Sequence, residues 1–215
     1  ASLTTTGNGA LVQVSDLSYA HSKGGDPFLD DINLTLQPGE RVAVLGESGA
    51  GKTTLLKIIG GYFDARSGSV EIDRVDVREL SPEGLAETIG FLSDRNELFA
   101  GSMVDNVAMG RNCDLHQLRE LILETGGKRA LRQSSQGGYT AITSAGSVLS
   151  SGERTSILLS RALLGSPRLL LIDDSLSDLD EDSLKEVIEL TWLAEDRPTI
   201  LTTSTNPSVL SHCDR

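Results

Sequence analysis

Gly46, Gly49, Gly51, Lys52 and Thr53 stand in the spacing G-x-x-x-x-G-K-T, directly after the apolar run Val42-Ala-Val-Leu45. A strand, this loop and a following helix make a cradle for a polyphosphate. The glycines let backbone N–H groups converge on one anion, and the helix beginning near Lys52 aims its positive end at it. Gly46, Glu47, Ser48, Gly49, Ala50, Gly51, Lys52, Thr53 and Thr54 are therefore the candidate phosphate-binding residues. Lys52 reaches the terminal phosphates as a point charge, and the Thr53 hydroxyl suits Mg2+, which prefers hard oxygen ligands. The run Leu169-Leu-Leu-Ile-Asp173-Asp174 adds a buried strand that ends in two carboxylates. Asp173 is placed to hold the metal through water and Asp174 to lie nearest an attacking water. Paired aspartates after a strand also serve as helix caps.

The elements that must position these groups can be read from hydrophobic periodicity. Strands are expected at Val12–Val14, Ile32–Leu36, Arg41–Leu45, Ser69–Ile72, Ile89–Leu92, Leu169–Ile172 and Thr199–Thr202. The clearest helical patterns are Lys52–Ile59, Leu115–Glu124, Gly152–Leu164 and Ser183–Leu193. Their alternation implies a largely parallel α/β sheet with helices on both faces. Between Phe99 and Arg168 the strand signal fades, which predicts a helical subdomain over about 99–168, punctuated by Gly126-Gly127 and Gly137-Gly138. Residues 1–10 form a polar leader read as a linker, and the whole of 1–215 reads as one domain.

Composition narrows the function. A net charge of -12 is the wrong sign for neutralising a nucleic-acid backbone. Cys113 and Cys213 lack metal-ligand spacing and read as reduced thiols of a cytosolic protein. No apolar stretch approaches the roughly 20 residues of a membrane span, so any link to a membrane must come through another domain or chain.

A phosphate loop with a carboxylate strand leaves kinases, GTPases and ATPases open. The segment Leu149-Ser150-Ser151-Gly152-Glu153-Arg154 resembles the LSGGQ signature of ABC ATPases and stands, as in that family, shortly before the carboxylate strand. Leu176-Ser-Asp-Leu-Asp180 resembles the family's D-loop, Leu36-Gln-Pro-Gly-Glu40 the turn before its phosphate loop, and Leu98–Val107 the exporter subgroup. The resemblance covers essentially the whole chain. It implies a P-loop NTPase (RecA-like) α/β core with an N-terminal antiparallel β subdomain and an inserted α-helical subdomain. It implies ATP and Mg2+ as ligands, with Tyr19 as the aromatic that stacks on adenine.

It also implies a head-to-tail dimer in which Ser150, Ser151, Gly152 and Glu153 face the partner's ATP, and a transmembrane domain, fused upstream of Ala1 or separate. The chain would then work at the cytoplasmic face of the inner or plasma membrane, coupling ATP binding and hydrolysis to transport. The family usually continues with further strands beyond the region of Arg215. Read without the family, a helix N-terminus at Ser150 remains an ordinary cap.

Several positions depart from the family pattern. Its catalytic glutamate is here Asp174, one methylene shorter; its switch histidine aligns with Thr205; and the glutamine after the strand at Ile89 is Asp94, still a possible metal ligand. A misplacement of about 1 Å can cost on the order of 100-fold in rate, so weak hydrolysis is expected at this chain's own site. Ser151 and Glu153 replace a glycine and a glutamine in the signature, exchanges that look mild. Losses on one side only suit one half of a heterodimeric exporter. A slow homodimer, a module that uses ATP only to hold a dimer, and a soluble non-transporter ABC protein fit the same residues.

Overall fold

The computed structural model describes residues 8–22, 25–128, 131, 141–142 and 149–215. Within them the main strands form two four-stranded sheets, where the residue pattern predicts one largely parallel sheet. β1 (Val12–Tyr19), β2 (Leu29–Leu36), β4 (Ser67–Ile72) and β5 (Val75–Asp76) form an antiparallel sheet in the order β2-β1-β4-β5. This is the N-terminal subdomain that the resemblance implies. β3 (Arg41–Ala43), β6 (Ile89–Ser93), β9 (Leu169–Asp173) and β10 (Thr199–Thr202) form a parallel sheet in the order β3-β10-β9-β6. Antiparallel neighbours need only a short connection, as between β1 and β2, whereas parallel ones need a crossover.

β1 runs five residues beyond its expected end for a physical reason. Val12, Val14 and Leu17 are all buried, so the inward face slips from even to odd positions. Asp16 has φ 48° there, and the register shifts against both neighbouring strands. A bulge of this kind breaks the alternation by which a strand is recognised. Gly68 lies opposite with φ +82°, and a Cβ on it would fall 2.3 Å from the Ser15 carbonyl oxygen, so only glycine lets β4 approach the bulge.

β9 is buried at all five positions and divides the core. Leu169 and Leu171 join the cluster containing the inner face of the antiparallel sheet and Leu55, Leu56, Ile58 and Ile59 of α1 (Lys52–Ile59). Leu170 and Ile172 face the opposite side, against α5 (Ser151–Leu163), α6 (Glu181–Thr191) and the buried Trp192. Helices thus cover both faces of the parallel sheet, as the pattern requires.

α1 occupies the expected residues, as does α4 (Leu115–Glu124), whose Asp114 cap accepts from His116 and Gln117 N–H. α6 starts two residues before its expected position because Asp180 caps it through Ser183 N–H. Three short helices were not among the clearest patterns: α2 (Pro82–Thr88), α3 (Met103–Ala108) and α7 (Pro207–Leu210). In the insert, α3, α4 and α5 enclose their own core of Met103, Val107, Leu118, Ile122, Leu131 and Ile157. The insert is not free of strands, because β7 (Gly101–Ser102) pairs antiparallel with β8 (Ala141–Ile142). Gly126-Gly127 lies in a turn, and Gly137-Gly138 falls outside the described residues.

The leader ends earlier than residue 10. Ala10 is fully buried and donates to Arg168 O, and the Asn8 amide reaches Asp196 O. Residues 1–7 lie outside the described residues. Both cysteines are free thiols. Among the described residues no helix is long and apolar enough to cross a membrane.

Candidate functional site

After β3, Val44 N–H still donates to Thr202 O, but Leu45 turns outward at 60% exposure, which ends the strand before the expected Leu45. The chain then runs through exposed Gly46 to Ala50 into α1. Gly51 precedes the helix at φ +94°, where a Cβ would lie 2.6 Å from a Leu29 methyl, so both backbone sign and space demand glycine. The Lys52 ammonium is drawn into the loop, donating to Gly46 O at 2.6 Å and Glu47 O at 2.9 Å. This cation stands at the entrance of α1, held only by neutral carbonyls in those two bonds, and is available to an anion that can outcompete them.

The carboxylate strand meets the loop directly. The Thr53 hydroxyl donates to Asp173 Oδ1 at 3.0 Å, and so does the hydroxyl of buried Thr203 at the end of β10. Thr203 was not singled out from the sequence, where a threonine after a strand looks like ordinary β composition. A hydroxyl and a carboxylate oxygen this close are the donor set a hard divalent cation takes, with room for waters and phosphate oxygens. Among the described residues no cluster of three or more His, Cys, Asp or Glu side chains could hold a metal. An ion here would therefore also need oxygens from a ligand.

Lys52, Thr53, Thr54, Asp94, Asp173, Asp174 and Thr205 line one cleft of about 780 Å³, within the range of small-molecule sites. Asp174 adopts φ 47° immediately after β9. Burial pushes its carboxyl above the ordinary value, the charge of Asp173 adds to this, Lys52 opposes it, Asp94 raises it again, and a backbone hydrogen bond from Thr205 lowers it slightly. Thr205 thus meets Asp174 through its main chain, with its side chain exposed in the cleft. His212 is not part of the cleft lining: its Nδ1 lies 2.8 Å from Ser208 O beside α7. Asp94 is exposed, with its carboxylate accepting from Ser93 Oγ.

At the other end of the cleft the lining is aromatic. His21, Phe28 and Phe63 line the cleft and Tyr19 does not. The Tyr19 ring lies parallel to Phe63 at 5.8 Å and edge-on to His21 at 5.2 Å.

The signature segment faces a second groove, of about 680 Å³, lined by Ser150, Ser151, Ser177 and Asp178 and sharing Asp94 and Asp174 with the first. Ser150 caps α5 in a reciprocal box. Its Oγ accepts from Glu153 N–H at 3.3 Å, while Glu153 Oε2 accepts from Ser150 N–H at 2.8 Å and from its hydroxyl at 2.9 Å. Glu153 is buried at 7% exposure and does not open on the groove. A Cβ on Gly152 would lie 3.1 Å from Asp178 O, so the D-loop segment packs tightly against the start of α5.

Residues 29–177 match a protein-family model described as ABC transporter. The chain is 31% identical over 180 residues to ABC transporter B family member 29, chloroplastic, of Arabidopsis thaliana, covering 82% of this chain and 28% of that protein. It is 33% identical over 192 residues to an ATP-dependent lipid A-core flippase of Syntrophus aciditrophicus (strain SB), covering 88% and 32%. The chain therefore spans less than a third of either curated relative's length. Among solved structures, a bacterial Atm1-family ABC exporter with ATP bound superposes with a TM-score of 0.86 at 23% identity, over 99% of this chain and 37% of that one. At that identity the likeness speaks for the fold.

Proposed function

This chain belongs to the ABC transporter family, and from that membership we propose that it is the ATP-binding domain of an exporter-like transporter, coupling ATP binding and hydrolysis to transport with weak turnover at its own site. The observation that carries the reading is the hydrogen bond from Thr53 to Asp173, which joins the phosphate loop to the carboxylate strand in a cleft that also holds Lys52. In this proposal the loop N–H groups and Lys52 bind the phosphates, Lys52 exchanging Gly46 O and Glu47 O for phosphate oxygens. Thr53 and Asp173 would hold Mg2+, with Asp94 at the rim, and the ion when bound supplies positive charge to the phosphate oxygens. Thr203 fixes the carboxylate of Asp173 in that orientation.

Asp174 is the group nearest a water attacking the terminal phosphate. Its side chain is one methylene shorter than a glutamate's, which limits its reach to that water. Thr205 brings a hydroxyl to the cleft without imidazole's reach or charge. Both features favour holding ATP over cleaving it.

The partners follow from the same reading: a transmembrane domain, and a second nucleotide-binding domain packed head to tail so that the signature segment faces the partner's ATP through Ser150 and Ser151, which line the groove, with Glu153 buried behind them. An unequal, heterodimeric pair suits the departures at Asp94, Asp174 and Thr205, and the location is the cytoplasmic face of a membrane. The net charge of -12 supports a role without nucleic acid. The test is calorimetry of Mg-ATP with the wild-type chain and Lys52→Ala, together with a turnover assay with and without a second nucleotide-binding domain. Tight binding, weakened in the variant, with little turnover by the chain alone is expected.

A further inference from the structure

Ser93, the last residue of β6, stands opposite Asp173 in the parallel sheet, so the turn that follows begins beside the carboxylate of the proposed metal site. That turn runs from Ser93 to Asn96 and carries Asp94 at its first corner. Asn96 closes it twice: its N–H donates to Ser93 O at 3.0 Å, and its side-chain Oδ1 accepts from Ser93 N–H at 2.6 Å. Arg95 N–H donates to Ser93 Oγ at 3.3 Å, and that hydroxyl donates to Asp94 Oδ1. The charge of Asp94 lies close enough to help raise the Asp174 carboxyl, so the turn delivers it into the cleft.

The turn is also gripped from outside. Arg154, next after Glu153 on the first turn of α5, is exposed, and its Nη2 donates to Asn96 O at 2.7 Å. Farther along α5, Arg161 Nη1 takes the next carbonyl, Glu97 O, at 3.1 Å, but Arg161 is bonded as well to Asn106 of the helical insert. Arg154 shares the lining of the signature groove with Asp94, Glu97, Asp174 and Asp178, and among the described residues it forms an ion pair with none of them. A guanidinium among four carboxylates that bonds a neutral carbonyl is committed to the turn and not to neutralising charge.

We infer that Arg154 is a positioning residue for this chain's own nucleotide: from the signature helix it pins the turn that sets Asp94 against the metal site. The inference rests on the proposed reading of the cleft as a Mg-ATP site. It joins two regions that the proposed dimer uses on different nucleotides, since α5 faces the partner's ATP and Asp94 serves the chain's own. A carbonyl held by a charged donor is a firmer constraint than one left to water. A carboxylate on an unheld turn must lose that freedom when it meets the ion, which weakens the ion's hold.

The test is calorimetry of ATP binding to the dilute chain over a range of Mg2+ concentrations and in the absence of Mg2+. Asp94→Ala is expected to raise the Mg2+ concentration needed by about tenfold, and Arg154→Met, which keeps an apolar stem for packing, by about threefold, as losses of groups supporting a metal site do. Arg154→Lys keeps a charged donor and should restore most of the loss. In Asp94→Ala the further change Arg154→Met should add nothing, and Mg2+-free ATP affinity should be the same in all of them. A purely structural role for Arg154 would weaken ATP with and without Mg2+ alike, and that result overturns the inference. So does an unchanged Mg2+ requirement in Arg154→Met or in Asp94→Ala, or an effect of Arg154→Met that survives undiminished in Asp94→Ala. Failure of the wild-type chain to bind Mg-ATP would instead remove the reading of the cleft on which the inference depends.

Discussion

Two helix N-termini flank Asp174, and each already has its polar groups engaged within the chain, but by opposite means. At α1 the engaged group is a cation, Lys52, bonded to the carbonyls of Gly46 and Glu47. At α5 it is an anion, the carboxylate of Glu153, which takes both the N–H and the hydroxyl of Ser150. A phosphate arriving at α1 gives Lys52 a better partner than the neutral oxygens it leaves. A phosphate arriving at α5 must compete with a carboxylate for the same donors. The exchange of glutamine for glutamate at position 153, which looks mild from the sequence, therefore falls on the hydrogen bonds of Ser150 itself. The phosphate loop is poised for its ligand; the signature is closed on itself.

Lys52→Ala should break the first half of this contrast most strongly. ATP affinity is expected to fall roughly 10- to 100-fold, because a hydrogen bond to a charged group contributes about 1.5–3 kcal/mol. Unchanged affinity in calorimetry would remove the phosphate-loop assignment. Thr203→Val comes next. It leaves Asp173 with the Thr53 hydroxyl alone and should raise the Mg2+ concentration needed for ATP binding by about tenfold, as losses of groups supporting a metal ligand do. Restoration by Thr203→Ser would tie the effect to the hydroxyl, and an unaltered Mg2+ dependence would show that Thr203 does nothing for Asp173.

Ser150→Ala tests the other half. Loss of the cap should lower stability by about 1 kcal/mol, or a Tm shift of about 2–4 °C for a domain of this size, with ATP affinity of the dilute chain unchanged. A fall in that affinity would mean that α5 serves the chain's own nucleotide.

The smallest expected effect concerns Asp174. A carboxyl raised above its ordinary 3.8 by burial, Asp173 and Asp94 disfavours the folded state once ionised. That penalty is present at neutral pH, shrinks as pH falls through the raised value and is gone below the unfolded one. Asp174→Asn should thus raise Tm slightly at pH 7 and lose the advantage in acid. An advantage that grows in acid would reverse the assigned sign.

Chemistry that is local in sequence was legible there. The spacing from Gly46 to Thr54 and the apolar run into Asp173 each lie in a single stretch, and the expected bounds of α1 and α4 hold because Gly51 and Asp114 mark their starts. Ser81 caps α2 and a Ser102–Asp105 box caps α3, but helices of seven and six residues are too short to show a face by periodicity. What could not be read depends on separate elements meeting. Thr203 matters because β10 lies beside β9, and the cleft has an aromatic lining because the segments carrying His21, Phe28 and Phe63 converge there. The β1 bulge hid in plain alternation because one residue of slip makes the second half of the strand look out of phase.

The central claim, that the chain holds ATP more readily than it cleaves it, is tested most directly by incubating the purified chain with saturating Mg-ATP and identifying the nucleotide that stays bound. The account predicts that the bound nucleotide is recovered as intact ATP, with Asp174→Glu alone changing this little because Thr205 remains. Rapid conversion to ADP and phosphate by the isolated wild-type chain would contradict it.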